Sequence, residues 1–425
     1  MKRVLVVSYY FPPSGGPGVQ RVLKFVRYLP DFGWKPTVIT VDPAYASYPA
    51  LDRSLLDDVP EDIEVIRTRS WDPYQLYARL QGKSKEAVVG VGFVRDSSRS
   101  VFQAIARWLR GNVFLPDARR GWVRYAAKAA LEAMSKQSFD ALLTSGPPHS
   151  THLVAHWIQR KAKVPWVVDM RDPWSDIQYS MEMHQSSAAR AIQARMERRV
   201  LSSADVVIGV SDYVGELLKV RGRIKRYQTI FNGFDPADIE SSPQAGPSDG
   251  PFIVAHVGTF NWARHAPGLV AALAGLAGSA ELHFVGHVHE RVVKAFRTAG
   301  CTVVIVPYMP HQDAVAYMQH ADMLLVYVDH GPRNRGIVTG KVFEYVSLGR
   351  PVLGVGPVDG DLTQILAHTN TGRVFDYEDA AGIDAYIRRY MDCRGQPLMV
   401  NQRAIQSYER RELTRSLANI LDSLA

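Results

Sequence analysis

Short runs of branched apolar residues alternate with helix-like segments along the chain, and this alternation constrains the fold more than any other feature of the sequence. VLVVSYY (4–10) and PTVITVD (36–42) have the composition of strands buried on both faces. Between them, VQRVLKFVRYL (19–29) carries its apolar residues at the spacing of one helical face. A strand, a crossover helix and a second strand in this order form a βαβ unit, which predicts an α/β protein with a parallel sheet.

The same pattern recurs in two halves of the chain. The stretch 236–250 separates them, because it is rich in Pro, Ser, Gly and Asp and has the composition of a linker. We therefore predict two α/β domains, 1–240 and 241–400, that face each other across a cleft, and a C-terminal helix (401–425) that packs back on the first domain. Further strand-like runs lie at 139–146, 164–172, 204–212, 227–235, 251–260, 280–287, 301–308, 321–329 and 350–357.

The composition is that of a folded protein, with 46% apolar and 22% charged residues among 425. Two cysteines, Cys301 and Cys393, are too few for a disulfide framework, so we expect a reducing, cytoplasmic compartment. The first apolar run is too short for a signal peptide, and no apolar run reaches the roughly 18 residues of a spanning helix. We therefore expect neither segment.

The formal net charge of +8 favours an anionic partner, such as nucleic acid, an acidic lipid surface or a phosphorylated substrate. Zinc-finger spacings, RNA-binding aromatic motifs and basic heptads are absent, so we expect no nucleic acid partner. The segment 100–134 is basic and aromatic, and a helix of this kind can lie on an anionic membrane surface. The alternative is a helix that packs on its own domain and exposes its basic face to solvent.

A glycine-rich loop, FPPSGGPG (11–18), lies between the first predicted strand and the first predicted helix. Gly15 and Gly16 allow a ligand to approach the backbone closely, and the N-terminus of the following helix favours an anion. The spacing differs from the GxGxxG fingerprint of dinucleotide-binding proteins. The alternative is a tight turn that needs glycine for its geometry alone.

A second candidate site lies in RGIVTGKVFEYVSLGRP (335–351), where a loop with Gly336 runs into a helix that carries Lys341 and Glu344. Backbone amides at the start of a helix suit a diphosphate, and Lys341 adds a positive charge. Glu344 lies one turn further and can accept hydrogen bonds from a ribose diol. The alternative is a Lys–Glu pair on a solvated helix face. The amides that we expect to bind the anion belong to Ile337, Val338 and Thr339.

A cluster of charged residues follows another predicted strand. PWVVDMRDPWSD (165–176) places Asp169, Arg171 and Asp172 at the end of that strand, where active sites of open α/β sheets usually lie. These residues can orient a hydroxyl group of a ligand or bind its phosphate. The alternative is an internal ion pair that fixes the loop.

The ordered set of motifs resembles the family 4 glycosyltransferases, retaining enzymes with two Rossmann-like domains in the GT-B fold. The resemblance implies transfer of a hexosyl-type sugar from a nucleotide-diphosphate sugar to a glycan, lipid-linked or small-molecule hydroxyl, in polysaccharide or glycoconjugate biosynthesis. It also implies that the first domain binds the acceptor, that the second binds the donor, and that no metal or other cofactor is needed. The matching segments are YYFPPSGGPGVQRVLKFVRYLPDFGWKPTVITV (9–41), ADVVIGVSDYVGELL (204–218), NGFD (232–235), VGTFNWAR (257–264), ADMLLVYVD (321–329) and KVFEYVSLGRPVLGVG (341–356).

The resemblance implies roles for the candidate residues. Gly16 approaches the donor diphosphate, Arg264 stands where the family commonly has a phosphate-binding lysine, and Glu344 holds the nucleotide ribose. The strand ends at 145–149 and 169–172 border the acceptor. The residues expected to act in transfer are Arg264, Lys341, Asp172 and His149, and those expected to bind substrate are Gly15, Gly16, Gly258, Thr259, Gly336, Ile337, Val338, Thr339, Glu344, Asp169 and Arg171.

Two departures from the family pattern concern the sugar half of the predicted site. Gly336 stands where the family often has a glutamate that contacts the transferred sugar, and Thr259 stands where it usually has an arginine. They keep two alternatives open, a catalytically degenerate nucleotide-binding or scaffold protein and a nucleotide-sugar epimerase on the same fold. Three histidines in or after the strand end at 145–149 lack the spacing of a metal site, so we expect no metal. They are His149, His152 and His156.

Overall fold

The computed structural model describes residues 1–48, 50–72, 108–175, 185–240, 250–261 and 266–425. They form two compact units. Unit 1 consists of Met1–Phe231 and Leu413–Ala425, and unit 2 consists of Asn232–Glu412.

Unit 1 is built on a parallel sheet. Its strands are β1 (Lys2–Ser8), β2 (Trp34–Val41), β3 (Glu64–Thr68), β4 (Ala141–Gly146), β5 (Trp166–Met170), β6 (Val206–Gly209) and β7 (Tyr227–Thr229). Their order in the sheet is β3-β2-β1-β4-β5-β6-β7, and every pair is parallel. The carboxyl ends of β1, β4 and β5 therefore lie side by side at one edge.

Burial on both faces explains why the strands of unit 1 read as continuous apolar runs. In β1, Leu5 and Val7 belong to one core cluster, and Val4 and Val6 belong to the cluster on the other face. All four side chains are fully buried. Strand β3 was not predicted from the sequence, because it lies at the edge of the sheet, is half-buried and contains a charge in EVIRT.

Helices cover both faces of this sheet. They are α1 (Pro17–Tyr28), α2 (Val123–Lys136), α3 (Ser150–Ile158), α4 (Ser187–Ser203) and α5 (Asp212–Arg221). Helix α1 packs on one face through Val22, Leu23 and Val26, and α2 to α5 contribute to the core cluster of the other face.

The basic segment 100–134 is not one amphipathic helix in the part that the structure describes. Residues 100–107 lie outside the described residues, and a 3₁₀ turn (Arg120–Trp122) precedes α2. The apolar face of α2 is buried in the core of unit 1, which favours the alternative of a helix packed on its own domain. Membrane contact stays a prediction, and the exposed large apolar residues in the described part of the segment are Trp108, Leu109, Val113 and Tyr125. No helix among the described residues is both long and apolar enough to cross a membrane.

Unit 2 contains a second parallel sheet. Its strands are β8 (Phe252–Val257), β9 (Ala280–Val285), β10 (Thr302–Val306), β11 (Met323–Tyr327), β12 (Val352–Val355) and β13 (Gly372–Phe375), in the order β10-β9-β8-β11-β12-β13. The order reverses between β8 and β11, which makes their carboxyl ends a topological switch point. The four-residue edge strand β13 was not predicted, because GRVF is too short to stand out as an apolar run.

The helices of unit 2 are α6 (Pro236–Glu240), α7 (Pro267–Ala274), α8 (Glu290–Thr298), α9 (His311–His320), α10 (Lys341–Ser347), α11 (Asp361–Thr369), α12 (Ala380–Asp392) and α13 (Gln402–Gln406). Helix α6 occupies the start of the predicted linker, and residues 241–249 lie outside the described residues.

The final helix, α14 (Arg410–Asp422), contributes its apolar face to unit 1. Leu413, Leu417 and Leu421 join the core cluster that also contains α1. Asp422 accepts hydrogen bonds from the Lys2 ammonium and the Trp34 indole, both at 3.1 Å. The predicted C-terminal helix is therefore two helices, α13 in unit 2 and α14, whose residues from Leu413 onward belong to unit 1.

We expect Leu417→Ala to lower the free energy of unfolding of unit 1 by about 2–5 kcal/mol, because it leaves a cavity at a fully buried position. Asn419→Ala on the exposed side of the same helix is the matched control and should change stability by no more than about 0.5 kcal/mol. Urea denaturation followed by tryptophan fluorescence measures both variants. Equal stability of the two would contradict the packing of α14 described here.

Candidate functional site

The carboxylate of Asp169, near the end of β5, is fully used by buried partners in unit 1. Arg21 of α1 contacts it through Nε at 3.1 Å from both oxygens and through Nη2 at 2.9 Å from Oδ1. Ser145, at the end of β4, donates its hydroxyl to Oδ2 at 2.7 Å. All three side chains are buried, so this ion pair ties α1 to the ends of β4 and β5.

Arg171, directly after β5, joins the first turn of α1 to the end of β4 and the loop that follows it. Its guanidinium donates to the carbonyl oxygens of Gly146 at 3.0 Å, Gly18 at 2.6 Å and Pro147 at 2.7 Å. Gly18 has to be glycine here, because a Cβ atom would lie 2.2 Å from Arg171 Nη1. Burial lowers the pKa of Arg171, and the charges of Asp169 and Asp172 oppose that shift.

These contacts favour the alternative that the sequence left open for Asp169 and Arg171, an internal network that fixes the loops. Both side chains were predicted to bind substrate, but both are buried and engaged with the protein. Asp172, the next residue, is solvent-exposed and remains accessible to a ligand. The surrounding protein raises the pKa of Asp172 through desolvation, and Arg171 opposes this rise.

His149 lies directly after β4 and precedes α3. Its ring is stacked on that of Trp174, with 4.9 Å between the ring centroids and 7° between the planes. The side chain is buried, and neither Nδ1 nor Nε2 has a hydrogen-bond partner among the described residues. Burial lowers the pKa of His149 well below its usual range, and the neighbouring charges of His152 and Arg171 act in the same direction. The imidazole is therefore neutral at physiological pH, with one nitrogen able to donate and the other able to accept.

Its neighbour His152 is held inside unit 1. Nδ1 lies 2.9 Å from the Thr144 hydroxyl, which also accepts a hydrogen bond from the Trp166 indole. Burial lowers the pKa of His152 to about 3. A Cβ atom on Gly146 would lie 2.5 Å from His152 Nε2, so glycine at the end of β4 makes room for this ring.

The predicted glycine loop separates into a structural and an accessible part. Gly15 is buried, its amide donates to the Ala50 carbonyl at 2.9 Å, and a Cβ atom there would lie 3.2 Å from that of Asp52. Gly16 is exposed and caps α1 with a φ of 105°, a conformation that glycine adopts readily. No described atom lies within 4 Å of the position of its absent Cβ atom. Of the pair, Gly16 is the residue that a ligand can approach.

In unit 2, the structure brings Lys341 and Gly258 together at the carboxyl end of β8. Gly258 has a φ of +117°, and a Cβ atom at this position would lie 2.7 Å from the Lys341 ammonium nitrogen. Glycine is therefore required by the backbone conformation and by the lysine side chain that lies against it. The result is a positive charge held against an open strand end at the switch point of the sheet.

His256 of β8 orients that ammonium group. Its Nδ1 lies 3.0 Å from the Leu325 carbonyl oxygen, which can only accept, so Nδ1 carries a proton. Nε2 lies 3.3 Å from Lys341 Nζ and accepts a hydrogen bond from it when the ring is neutral. His256 was not identified from the sequence, because an isolated histidine in a strand gives no signal.

In the loop before α10, one of the three backbone amides that were predicted to bind an anion is already hydrogen-bonded within the protein. The amide of Ile337 donates to the Asn334 carbonyl at 3.0 Å and is not available to an anion. The amides of Val338 and Thr339 and the buried Thr339 hydroxyl have no partner among the described residues. Because α10 has only seven residues, its dipole adds little, and the Lys341 ammonium is the main positive charge.

Glu344 is in the first turn of α10 and is partly exposed. Its Oε1 lies 3.2 Å from Nε2 of His311, the first residue of α9. The hydrogen bond to Glu344 raises the pKa of His311, partly offset by burial. His311 was also missed from the sequence, since 33 residues separate it from its partner.

Three further residues were predicted from the sequence to belong to the donor site. Gly336 ends a 3₁₀ turn (Asn334–Gly336), and Thr259 is exposed directly after Gly258. Arg264 lies outside the described residues. Within the described ranges, no group of three or more His, Cys, Asp and Glu side chains is arranged to hold a metal ion.

Comparison with known proteins identifies the family. The family model described as "Glycosyl transferase 4-like domain" matches residues 15–233, which is more than half of the chain. The chain therefore belongs to this glycosyltransferase family. No match was found among curated proteins.

Solved structures identify the fold as GT-B. Sucrose-phosphate synthase from Thermosynechococcus elongatus is 15% identical, with a TM-score of 0.61 over 100% of this chain and 99% of that one. A glycosyltransferase from Rickettsia africae ESF-5 is 14% identical, with a TM-score of 0.63 over 100% and 98%. Anabaena Alr3699/HepE in complex with UDP is 13% identical, with a TM-score of 0.63 over 100% of both chains.

The buried network of unit 1 gives a stability prediction. We expect Asp169→Ala to lower the free energy of unfolding by about 3–5 kcal/mol, because it leaves the buried Arg21 guanidinium without its counter-charge. Glu216→Ala removes the partner of Lys219 from an exposed pair in the same unit and should cost no more than about 0.5 kcal/mol. Chemical denaturation compares the two, and a similar loss in both would show that the network does not fix the loops.

Proposed function

We propose that this GT-B glycosyltransferase is a retaining, hexosyl-type enzyme that uses a nucleoside diphosphate sugar as donor. The acceptor is a hydroxyl of a glycan, lipid-linked or small-molecule substrate in polysaccharide or glycoconjugate biosynthesis. The observation that carries the proposal is the position of the Lys341 ammonium against Gly258, with Glu344 one turn further along α10.

The donor half of the proposal rests on unit 2. A diphosphate carries negative charge that suits an oriented ammonium group and the backbone of a strand end without a Cβ atom. The amides of Val338 and Thr339 and the Thr339 hydroxyl are further donors close in sequence to Lys341. Glu344 accepts hydrogen bonds, which suits the ribose diol of the same ligand. Anabaena HepE was solved with UDP and with UDP-glucose, which makes these two compounds the first probes.

The acceptor half rests on unit 1. The ring nitrogens of neutral His149 have no hydrogen-bond partner among the described residues, and the ring is stacked on Trp174, so it suits a hydrogen bond with a sugar hydroxyl. Asp172 is the exposed carboxylate at the neighbouring strand end. The buried pair Arg21–Asp169 and the Arg171 network hold both loops in place.

The proposed chemistry follows from the leaving group. The acceptor oxygen forms a bond to the anomeric carbon on the face that the diphosphate leaves, the bond from that carbon to the phosphate oxygen breaks, and the hydroxyl proton passes to the departing phosphate. Negative charge develops on the diphosphate, and Lys341 stabilises it. This route requires no enzyme nucleophile, so glycine at position 336 is compatible with turnover.

A second candidate is a nucleotide-binding partner without transferase activity. It is favoured by Gly336 and Thr259, which stand where the family usually has side chains that contact the donor. The two candidates differ in turnover and agree on nucleotide binding.

We expect Lys341→Ala and Glu344→Ala each to weaken donor binding by about 1.5–3 kcal/mol, because each removes a charge-assisted contact. Lys294→Ala, which removes an exposed lysine from α8 of the same unit, is the matched control and should bind like the wild type. The measurement is a thermal-shift screen of UDP, GDP, ADP, dTDP and their sugar conjugates, since a ligand at 100 times its Kd stabilises by about 2.7 kcal/mol. Calorimetry of the best ligand then gives Kd for each variant.

Equal affinity of all three variants would show that the donor binds elsewhere. Release of the nucleoside diphosphate with transfer of the sugar to a glycan acceptor separates the enzyme from the non-catalytic candidate. The anomeric configuration of the product, read from its NMR coupling constant, tests retention.

We expect His149→Ala to slow transfer about tenfold while donor Kd stays unchanged, because the lost hydrogen bond belongs to the acceptor. His156→Ala on α3 is the control, since this partly exposed ring lies at the far end of the helix. Initial rates of nucleoside diphosphate release with a panel of glycoside acceptors measure the effect. An unchanged rate for His149→Ala, or an equal loss for both variants, would remove His149 from the acceptor site.

A further inference from the structure

The geometry points to His311 as a positioning residue for Glu344 that weakens donor binding when its imidazole loses its proton. The inference rests on the proposed function, because it assumes that Glu344 receives the donor ribose. It goes beyond that function by naming a residue of α9 that belongs to none of the matched sequence motifs.

The contact between His311 and Glu344 joins one ring nitrogen to one carboxylate oxygen. His311 Nε2 donates to Glu344 Oε1 at 3.2 Å, and this bond leaves Oε2 for a ligand. His311 is the first residue of α9 and directly follows Pro310, so the start of this helix sets its backbone position. A carboxylate on a partly exposed side chain otherwise samples several rotamers, and the bond selects one of them. Preorganisation of this kind reduces the entropy that binding costs.

The protonation state of His311 determines how strongly it holds the carboxylate. The imidazolium donates from both nitrogens and carries a positive charge, so its bond to Glu344 is charge-assisted. The neutral ring has one donor and can place it on Nδ1, which leaves Nε2 without a proton for Glu344. The contact is therefore strongest below the pKa of His311 and weakens above it.

The charged groups around His311 come from three elements. Glu344 of α10 and Asp238 of α6 favour the imidazolium, Arg410 of α14 opposes it, and partial burial also opposes it. Helices α6 and α9 pack on each other within unit 2, which brings Asp238 close. The net effect raises the pKa of His311, with the hydrogen bond to Glu344 as the largest cause.

A purely structural role is a poor explanation of this pair. The His311 side chain is 54% exposed, so its removal leaves no cavity in the core. Glu344 also lies within one turn of Lys341, on the helix that carries the proposed donor contacts. Its effect should therefore appear in ligand affinity and only weakly in the stability of unit 2.

The test measures Kd by calorimetry between pH 5.5 and 8.5, with UDP and UDP-glucose as probes and then GDP, ADP and dTDP. His311→Gln keeps a neutral donor at all pH values, and His311→Ala removes the donor. His368→Gln is the control, because this exposed histidine of α11 contacts Tyr408 and not Glu344. His311→Ala in the Glu344→Gln background measures the coupling between the two residues.

We expect the wild-type Kd for the best nucleotide to rise about two- to fivefold as the pH passes from below to above the His311 pKa. His311→Ala should bind weakly and without this pH dependence, and His311→Gln should also lose the pH dependence but bind more tightly than His311→Ala. His368→Gln should follow the wild type. In the Glu344→Gln background, His311→Ala should have no further effect. NMR should show a lower His311 pKa in Glu344→Gln than in the wild type.

The same pH profile in His311→Ala as in the wild type would overturn the inference and leave the proposed function intact. An effect of His311→Ala that persists in Glu344→Gln would overturn it as well, because the histidine would then act elsewhere. Failure of every nucleotide to bind the wild type at any pH would overturn the proposed function and this inference with it.

Discussion

The hydrogen bonds donated by the buried Arg171 guanidinium hold together the segments at the carboxyl ends of the strands in unit 1. Arg171 follows β5 and donates to the carbonyl oxygens of Gly18 in the first turn of α1, Gly146 at the end of β4 and Pro147 directly after it. One side chain thereby joins three segments that are distant in sequence, and Arg21–Asp169 also ties α1 to this edge. Because the buried charges of this network are already paired, they are not available to a ligand, whereas Gly16 and Asp172 in the neighbouring loops are exposed.

In unit 2, the corresponding feature is a lysine ammonium group held at a strand end. Lys341 lies against Gly258, and His256 fixes the direction of the ammonium group through a tautomer set by a backbone carbonyl. The strand end that receives the charge lies where the strand order of the sheet reverses, a common place for ligands in open α/β sheets.

The sequence predicts the two-unit α/β fold well, because strands buried on both faces leave long apolar runs. It misses β3 and β13, where short edge strands contain an arginine and give no such run. Motifs in the sequence also single out Lys341, Gly258 and Glu344, whose roles in donor binding stay predictions, and the structure brings Lys341 and Gly258 together. The sequence cannot show that Arg171 binds carbonyl groups, or that His311 meets Glu344, because backbone acceptors and long-range side-chain contacts leave no pattern in the residue order.

We propose that unit 2 binds the diphosphate of a sugar nucleotide at Gly258 and Lys341. The decisive measurement is a crystal structure of the protein with UDP or UDP-glucose. We expect diphosphate oxygens within hydrogen-bond distance of Lys341 Nζ and a ribose hydroxyl on Glu344. A nucleotide bound away from the carboxyl end of β8, with Lys341 still directed only at His256, would contradict it.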